Sequence, residues 1–193
     1  MLNQLRPALV MTAFFTLVLG LAYPLGLTGF AQAVFPDQAS GSLVRGADGM
    51  IQGSALIGQP FAGVGYLHPR PSAAGDGYNA AGSSGSNLGP LNPDLAERVK
   101  ADADALRTET GGGAIPADAV TASGSGLDPE ISPAYARLQA PRVAAARGLT
   151  AEQVQGVIDD HTQGALLGFI GQPRVNVLMT NRALDALASS PAG

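Results

Sequence analysis

Pro7-Ala-Leu-Val-Met-Thr-Ala-Phe-Phe-Thr-Leu-Val-Leu-Gly-Leu-Ala-Tyr-Pro-Leu-Gly-Leu-Thr-Gly-Phe30 is the stretch that decides the architecture. No charged side chain occurs between Arg6 and Asp37. About 20 consecutive apolar residues suffice to cross a bilayer core as a helix, so residues 7–30 read as a membrane span. Pro7 suits a first helical turn, where its missing N–H is no loss. Arg6 and the amino terminus lie on one side of the run and Asp37 on the other. The positive-inside rule then predicts a cytoplasmic N-terminus, residues 1–6, with everything beyond a short connector at 31–36 outside. A cleaved leader is the competing reading: Ala31-Gln32-Ala33 has the small-x-small form of a cleavage site, and Pro24, Gly26 and Gly29 could end the helix. Its apolar core is longer than a leader requires. Ala8, Thr12, Thr16 and Gly20 recur every fourth residue, a stripe of small side chains of the kind that lets helices approach closely in lipid. The opposite faces carry Phe14, Phe15, Leu17, Leu19 and Leu21.

Outside this segment the 193-residue chain has room for one modest domain. It is 46% hydrophobic, only 5% aromatic and only 13% charged, so its core must rest on Leu, Val, Ile and Ala. The formal net charge is −4, and Lys100 is the only lysine among eleven basic residues, which gives nucleic-acid binding no basic patch to build on. With no cysteine there is no disulfide, thiolate metal site or Cys nucleophile.

Punctuation along residues 37–188 predicts a mixed α+β domain, followed by a flexible tail at 189–193. Ser42–Arg45 and Met50–Ile57 flank Asp48-Gly49, a dipeptide suited to a tight hairpin turn. Residues 69–90 are rich in Gly, Ser, Ala, Asn and Pro, a long loop of the functional or mobile kind. Asn92-Pro93-Asp94 opens a helix with Leu95, Val99, Ala103 and Leu106 on one face, and Gly111-Gly112-Gly113 closes it. Ser132-Pro133 opens another, which Pro141 kinks or splits and Gly148 stops. Thr150-Ala-Glu-Gln153 is a capping box for a helix that turns Val154, Val157 and Ile158 inward. Arg174–Met179 alternates as a strand does, and a short helix with Leu184 and Leu187 follows.

The familiar catalytic patterns are missing. Lys100 stands on a helix away from any glycine run, so no Walker A loop forms. Gly82-Ser83-Ser84-Gly85 only approaches a nucleophile elbow. His68 and His161 stand far apart with no carboxylate at metal-ligand spacing, and His161 suits a helix C-terminus instead. Asp159-Asp160 reads as a solvated helix end. These absences leave no catalytic residue and no metal site, and they disfavour an anchored hydrolase. Tyr66–Ser72 is the strongest segment for recognition: two prolines keep it extended, and Arg70 offers a fork of donors. That arginine suits an anion, or equally serves to hold the neighbouring Gly/Ser loop.

Taken in order, several of these segments resemble the KdpC family, the small single-span subunit of the Kdp potassium-transporting P-type ATPase. The carriers begin with Arg6-Pro7-Ala8, Tyr23-Pro24, Gly53–Gln59 and His68-Pro-Arg-Pro-Ser-Ala73. They continue with Gly85–Pro90, Val120–Asp128, Pro141-Arg-Val-Ala144, Gly171-Gln-Pro173 and Val175-Asn-Val177. Leu67 stands where an aromatic is expected, and Ser84 where a glycine is. The resemblance implies a retained N-terminal helix, an inner-membrane location and a periplasmic main domain. It also implies three partners: a potassium-binding channel-like subunit, a P-type ATPase subunit and a very small membrane subunit. The chain would be a non-enzymatic catalytic chaperone that raises the pump subunit's ATP affinity, with no cofactor of its own and with ATP and K+ handled by the complex. The alternative is a regulator that binds ATP directly, its phosphate cradle formed by Arg70, Ser86, Asn87, Ser123 and Ser125.

Overall fold

The computed structural model describes residues 2–189, so all but the first residue of the expected tail at 189–193 lies outside the described residues. The chain divides into two compact units, one ending at Gln52 and the other beginning at Gly53.

The first unit is dominated by one helix. Helix α1 (Leu2–Leu17) runs into a wide π segment (Val18–Ala22) and on into α2 (Tyr23–Val34). Helix therefore begins before Pro7, which sits inside α1 and not in its first turn, and it extends through most of the expected 31–36 connector. Asn3–Val34 has a mean hydropathy of 2.0 over its most apolar window and is long and apolar enough to cross a membrane. Pro24, Gly26 and Gly29 do not end it. The π segment explains how Pro24 is accommodated. A proline ring in an α-helix crowds the carbonyl four residues back. Here the winding widens just before it, and the Tyr23 N–H donates to the Val18 carbonyl, five residues back.

A short helix, α3 (Pro36–Ala39), leads to a hairpin of β1 (Leu43–Arg45) and β2 (Ile51–Ser54). The Asp48-Gly49 turn forms as expected: Gly49 has φ +77°, and the Met50 N–H donates to Asp48 Oδ1 at 3.0 Å. The second arm is shorter than the predicted run to Ile57. Ser54 turns the chain by accepting the Leu56 N–H on its hydroxyl at 3.1 Å.

In the second unit, a 3-10 turn at Ala80–Gly82 precedes α4 (Pro93–Thr110), α5 (Ala117–Val120), β3 (Glu130–Ile131), α6 (Pro133–Arg147), α7 (Ala151–Asp160), β4 (Thr162–Gln163), β5 (Arg174–Asn176) and α8 (Val177–Ser189). β5 lies between β3 and β4 and is antiparallel to both, with Val175 opposite Ile131 on one side and Thr162 on the other. The caps read from the sequence are in place. Asn92 accepts the Asp94 N–H at 2.8 Å, Ser132 accepts the Tyr135 N–H at 3.0 Å, and both halves of the Thr150–Gln153 box form. Gly111 and Gly148 close their helices in the left-handed conformation.

Two expectations are corrected here. Pro141 does not split α6, which continues to Arg147; the missing N–H would have met the carbonyl of Arg137, and both residues are exposed, so water can take that carbonyl. The strand predicted over 174–179 stops at Asn176. That side chain caps α8 by accepting the Met179 N–H at 3.0 Å, so Val177, Leu178 and Met179 begin a helix.

The core forms where α6, α7 and α8 meet β5. α6 contributes Ala136, Ala140, Val143 and Ala144, small side chains that let α7 come close with Val154 and Ile158 fully buried. Val157 is only partly covered. Leu184 on α8 is fully buried, and each such aliphatic side chain stabilises the fold by about 1.5–3 kcal/mol. By contrast α4 buries no residue fully, and of its predicted apolar face Leu106 packs on the core. Exposed ion pairs join Asp104 to both Lys100 and Arg107, while the partly buried Arg98 pairs with Asp102 and donates to the Val120 carbonyl at 3.3 Å.

Candidate functional site

After a turn closed by the Tyr66 N–H on the Gly63 carbonyl at 3.0 Å, the segment through Ser72 crosses the core on a frame of side-chain hydrogen bonds. Leu67 is wholly buried, and its N–H donates to Asn181 Oδ1 at 2.8 Å while its carbonyl accepts from Asn181 Nδ2 at 3.0 Å. His68 is held in the same way by Gln139, its N–H donating to Oε1 at 2.7 Å and its carbonyl accepting from Nε2 at 3.0 Å. Two amide side chains thus act as a neighbouring strand would, one from α8 and one from α6. Buried backbone groups need such partners, because each one left unpaired costs about 1–3 kcal/mol. Arg142 extends the frame by donating to the carbonyls of Val64 at 2.6 Å and Tyr66 at 3.0 Å and to Gln139 Oε1 at 2.7 Å, and it is ion-paired with Glu109. Arg147 donates to the Gly65 carbonyl, pairs with Asp185 at 2.8 Å and lies over the Tyr66 ring.

Arg70, the candidate anion ligand, points into the fold. Its Nη1 donates to Asp128 at 2.7 Å, and its Nε and Nη2 both reach the Thr121 carbonyl at 3.3 Å. The carbonyl of Arg70 accepts from the Tyr78 hydroxyl, whose pKa is pushed up by burial, so it stays a donor. Ser72 Oγ donates to the Gly126 carbonyl at 2.6 Å and accepts the Tyr78 N–H at 2.8 Å. Of the two readings of this arginine, these bonds serve the one in which it holds the adjacent loop.

The two Ser/Gly segments do come together. Ser83 Oγ and the Ser84 N–H both donate to the Ser125 carbonyl at 3.0 Å, and the Leu127 N–H donates to Ser125 Oγ at 3.1 Å. Ser123 is buried with its hydroxyl 3.5 Å from that of Ser125, Ser86 is half-buried, and Asn87 is exposed with φ +54°. These hydroxyls lace one loop to the other. Arg70 itself lines a cleft of about 650 Å³ together with Asp118, Asp128, Glu130, Gln172 and Arg174. Three carboxylates beside two guanidiniums, with Arg174 2.8 Å from Glu130, make a poor field for a polyphosphate. Arg70 also lines a second cleft, of about 390 Å³, with Phe61, His68, Tyr78 and Tyr135.

The remaining candidates lie apart. His68 Nε2 is 3.2 Å from the Gly63 carbonyl, and burial with the nearby Arg142 charge lowers its pKa. His161 caps α7, its Nδ1 2.9 Å from the Val157 carbonyl. Asp159 is paired with Arg137 at 2.9 Å, an exposed contact at a helix end. Ala8, Thr12, Thr16 and Gly20 are all exposed, and Gly20 falls within the π segment with open space around it.

Comparison with known proteins decides the lineage. The family model for KdpC, described as K+-transporting ATPase, c chain, matches residues 5–186. The chain belongs to the KdpC family. The potassium-transporting ATPase KdpC subunit of Caulobacter sp. (strain K31) is 69% identical over 186 residues, covering 96% of this chain and 95% of the relative. That of Beijerinckia indica is 62% identical over 188 residues, covering 96% and 95%. That of Mycobacterium bovis (strain BCG) is 54% identical over 190 residues, covering 97% and 100%.

In this KdpC-family chain the residues that organise the site include three not singled out from the sequence: Gln139, Arg147 and Asn181. The signal for the two amides was present. Gln139 sits among Ala136, Ala140 and Val143, and Asn181 near Leu178 and Leu184, polar residues on apolar helix faces. Such a position calls for a buried partner. Leu67, where the family resemblance led to an aromatic, fills its place as a fully buried aliphatic.

Proposed function

We propose that this chain is the accessory subunit of an ATP-driven potassium-uptake complex, stabilising its assembly and acting as a catalytic chaperone that raises the pump subunit's affinity for ATP. The observation that carries this reading is the match to the KdpC family over residues 5–186, joined to a single helix of membrane-spanning length at the N-terminus. The chain is anchored in the inner membrane with its N-terminus cytoplasmic and its main domain periplasmic, as the position of Arg6 relative to Asp37 favours. Its partners are the channel-like potassium-binding subunit, the P-type ATPase subunit and the very small membrane subunit. Ala8, Thr12, Thr16 and Gly20 face a partner helix, where small side chains allow close packing.

The chain itself performs no catalysis. Arg70 spends its donors on Asp128 and Thr121, which supports an effect on ATP affinity exerted through subunit contacts, as a coupling free energy between sites, over direct capture of nucleotide. The test is affinity purification of the C-terminally tagged chain in mild detergent from potassium-starved cells. Co-purification of a polytopic ATPase with potassium-stimulated hydrolysis is expected. Recovery of the chain alone in several detergents overturns the reading. An ATP titration of the purified chain alone separates the two routes, and saturation below millimolar ATP would return the phosphate-cradle alternative.

A further inference from the structure

Between His161 and Arg174 the chain carries no charged side chain, and within it Gly164-Ala-Leu-Leu-Gly-Phe-Ile-Gly171 is exposed at every residue but Ala165. The tip is a tight hairpin. Leu166 and Ile170 exchange backbone hydrogen bonds at 2.9 Å in both directions, and the Gly168 N–H donates to the Ala165 carbonyl at 3.0 Å. Leu167 and Gly168 have φ of +55° and +83°, both in the left-handed region that the tightest hairpin turns use. For a leucine that conformation is unfavourable by about 1–2 kcal/mol. The turn displays its apolar side chains outward: Leu166 is 65% exposed, Leu167 75%, Phe169 76% and Ile170 49%. Four large exposed apolar side chains on one short hydrogen-bonded hairpin are of the kind that marks an interaction site.

We infer that the Leu166–Ile170 hairpin is a docking knob that enters an apolar pocket on another subunit of the same transporter. This rests on the subunit reading above, which supplies a protein partner. A lipid surface is the weaker occupant on the chemistry shown. Segments that settle at a bilayer surface carry Lys or Arg beside their apolar side chains. Here 162–173 holds no Lys or Arg, Arg174 is committed to Glu130 at 2.8 Å, and Asp159 and Asp160 just before the segment would be repelled by anionic lipid. A protein pocket asks for what the hairpin has: a few large apolar anchors on a backbone already locked, so that little entropy is lost on docking.

Because the protein has no cysteine, Phe169→Cys creates its only thiol, at an exposed position that the fold does not need. Leu91→Cys, at a residue 96% exposed, is the comparison. Labelling with a maleimide is timed for each full-length chain, alone in detergent, alone in lipid vesicles and in the purified complex. At least tenfold slower labelling at 169 only in the complex, with no such change at 91, is expected. Equal rates at 169 with and without partners overturn the docking knob and leave the subunit reading intact. Protection of the chain alone also overturns it, whether by vesicles (a lipid occupant) or in proportion to chain concentration (a second copy). If the unsubstituted chain brings down no partner at all, the subunit reading fails and the inference falls with it.

Discussion

Asn181 and Leu67, 114 positions apart, are joined by two hydrogen bonds of 2.8 and 3.0 Å between a buried side-chain amide and a buried backbone unit. A longer contact adds to this tie between α8 and the segment, the Tyr66 hydroxyl donating to Asp185 at 3.5 Å. Asn181→Leu keeps the branched shape and removes both partners, leaving an N–H and a C=O unpaired in the core. A loss of about 2–4 kcal/mol is expected. Asn181→Asp keeps an acceptor but loses the donor and buries a charge, so it should fare no better. Urea unfolding in detergent gives the size, and faster amide exchange over residues 64–70 gives the place.

Glycine positions predict opposite signs. Gly126 has φ +67°, and an added Cβ would lie 2.6 Å from the Ala74 nitrogen and 2.7 Å from the Ser84 carbonyl oxygen. Gly126→Ala should therefore destabilise by about 2 kcal/mol or more, with the 83–87 and 123–126 loops parting first. Gly156 is exposed within α7 with open space around it, so Gly156→Ala should stabilise by about 0.5–1 kcal/mol. Thermal melts of the two variants beside the parent decide both.

His68 gives the fold a pH dependence of definite sign. Its folded pKa lies below the ordinary value, chiefly through burial and then through Arg142. Between the folded and unfolded values the unfolded chain binds more protons, so stability rises with pH. The contribution is complete above about pH 6.5 and is lost as the pH falls through the folded value. Subtracting the unfolding profile of His68→Gln from that of the parent should leave a difference that shrinks on acidification below about pH 6.5. A flat difference would mean the imidazole titrates alike in both states.

Arg70 is expected to act on loop order and not on nucleotide. Arg70→Ala removes the Asp128 pair and both bonds to Thr121, and because the pair is about three-quarters covered the loss should be about 1–2 kcal/mol. Arg70→Lys should recover little, since an ammonium cannot reproduce the fork. Limited proteolysis of residues 69–90 reads the loosening. In the purified complex, the ATP dependence of hydrolysis should shift no more for Arg70→Ala than for a loop variant of equal stability, such as Gly126→Ala.

Local chemistry made much of this legible in advance. Caps at Asn92, Ser132 and Thr150 and stops at Gly111 and Gly148 are decided within a few residues, and the apolar helix is decided by an uninterrupted run. Asn176 shows where local reading fails: alternation over 174–179 fits a strand, yet the same asparagine side chain is an N-cap, and tertiary packing chose the helix. Pro141 shows it again, since the cost of a proline depends on whether the carbonyl it strands can reach water. The recognition segment was found from its prolines and arginine, but its anchors were not. Gln139 and Asn181 lie about 70 and 114 residues further along, and no periodicity links an amide on one helix to a backbone so distant.

The wide turn at Val18–Ala22 also sets a bearing. Each α-helical residue advances about 100° around the axis, and a π turn, with its i→i+5 bond, advances each residue by less. Side chains beyond Ala22 are thus out of phase with those before Val18. Ala8, Thr12 and Thr16 keep one compass direction, while Gly26 and Gly29 keep another. The apolar helix is therefore a rod with two differently aimed halves. Removing one residue from the turn would leave it just as apolar but would swing the half beyond Ala22 round, changing which side chains share a face without changing its hydropathy.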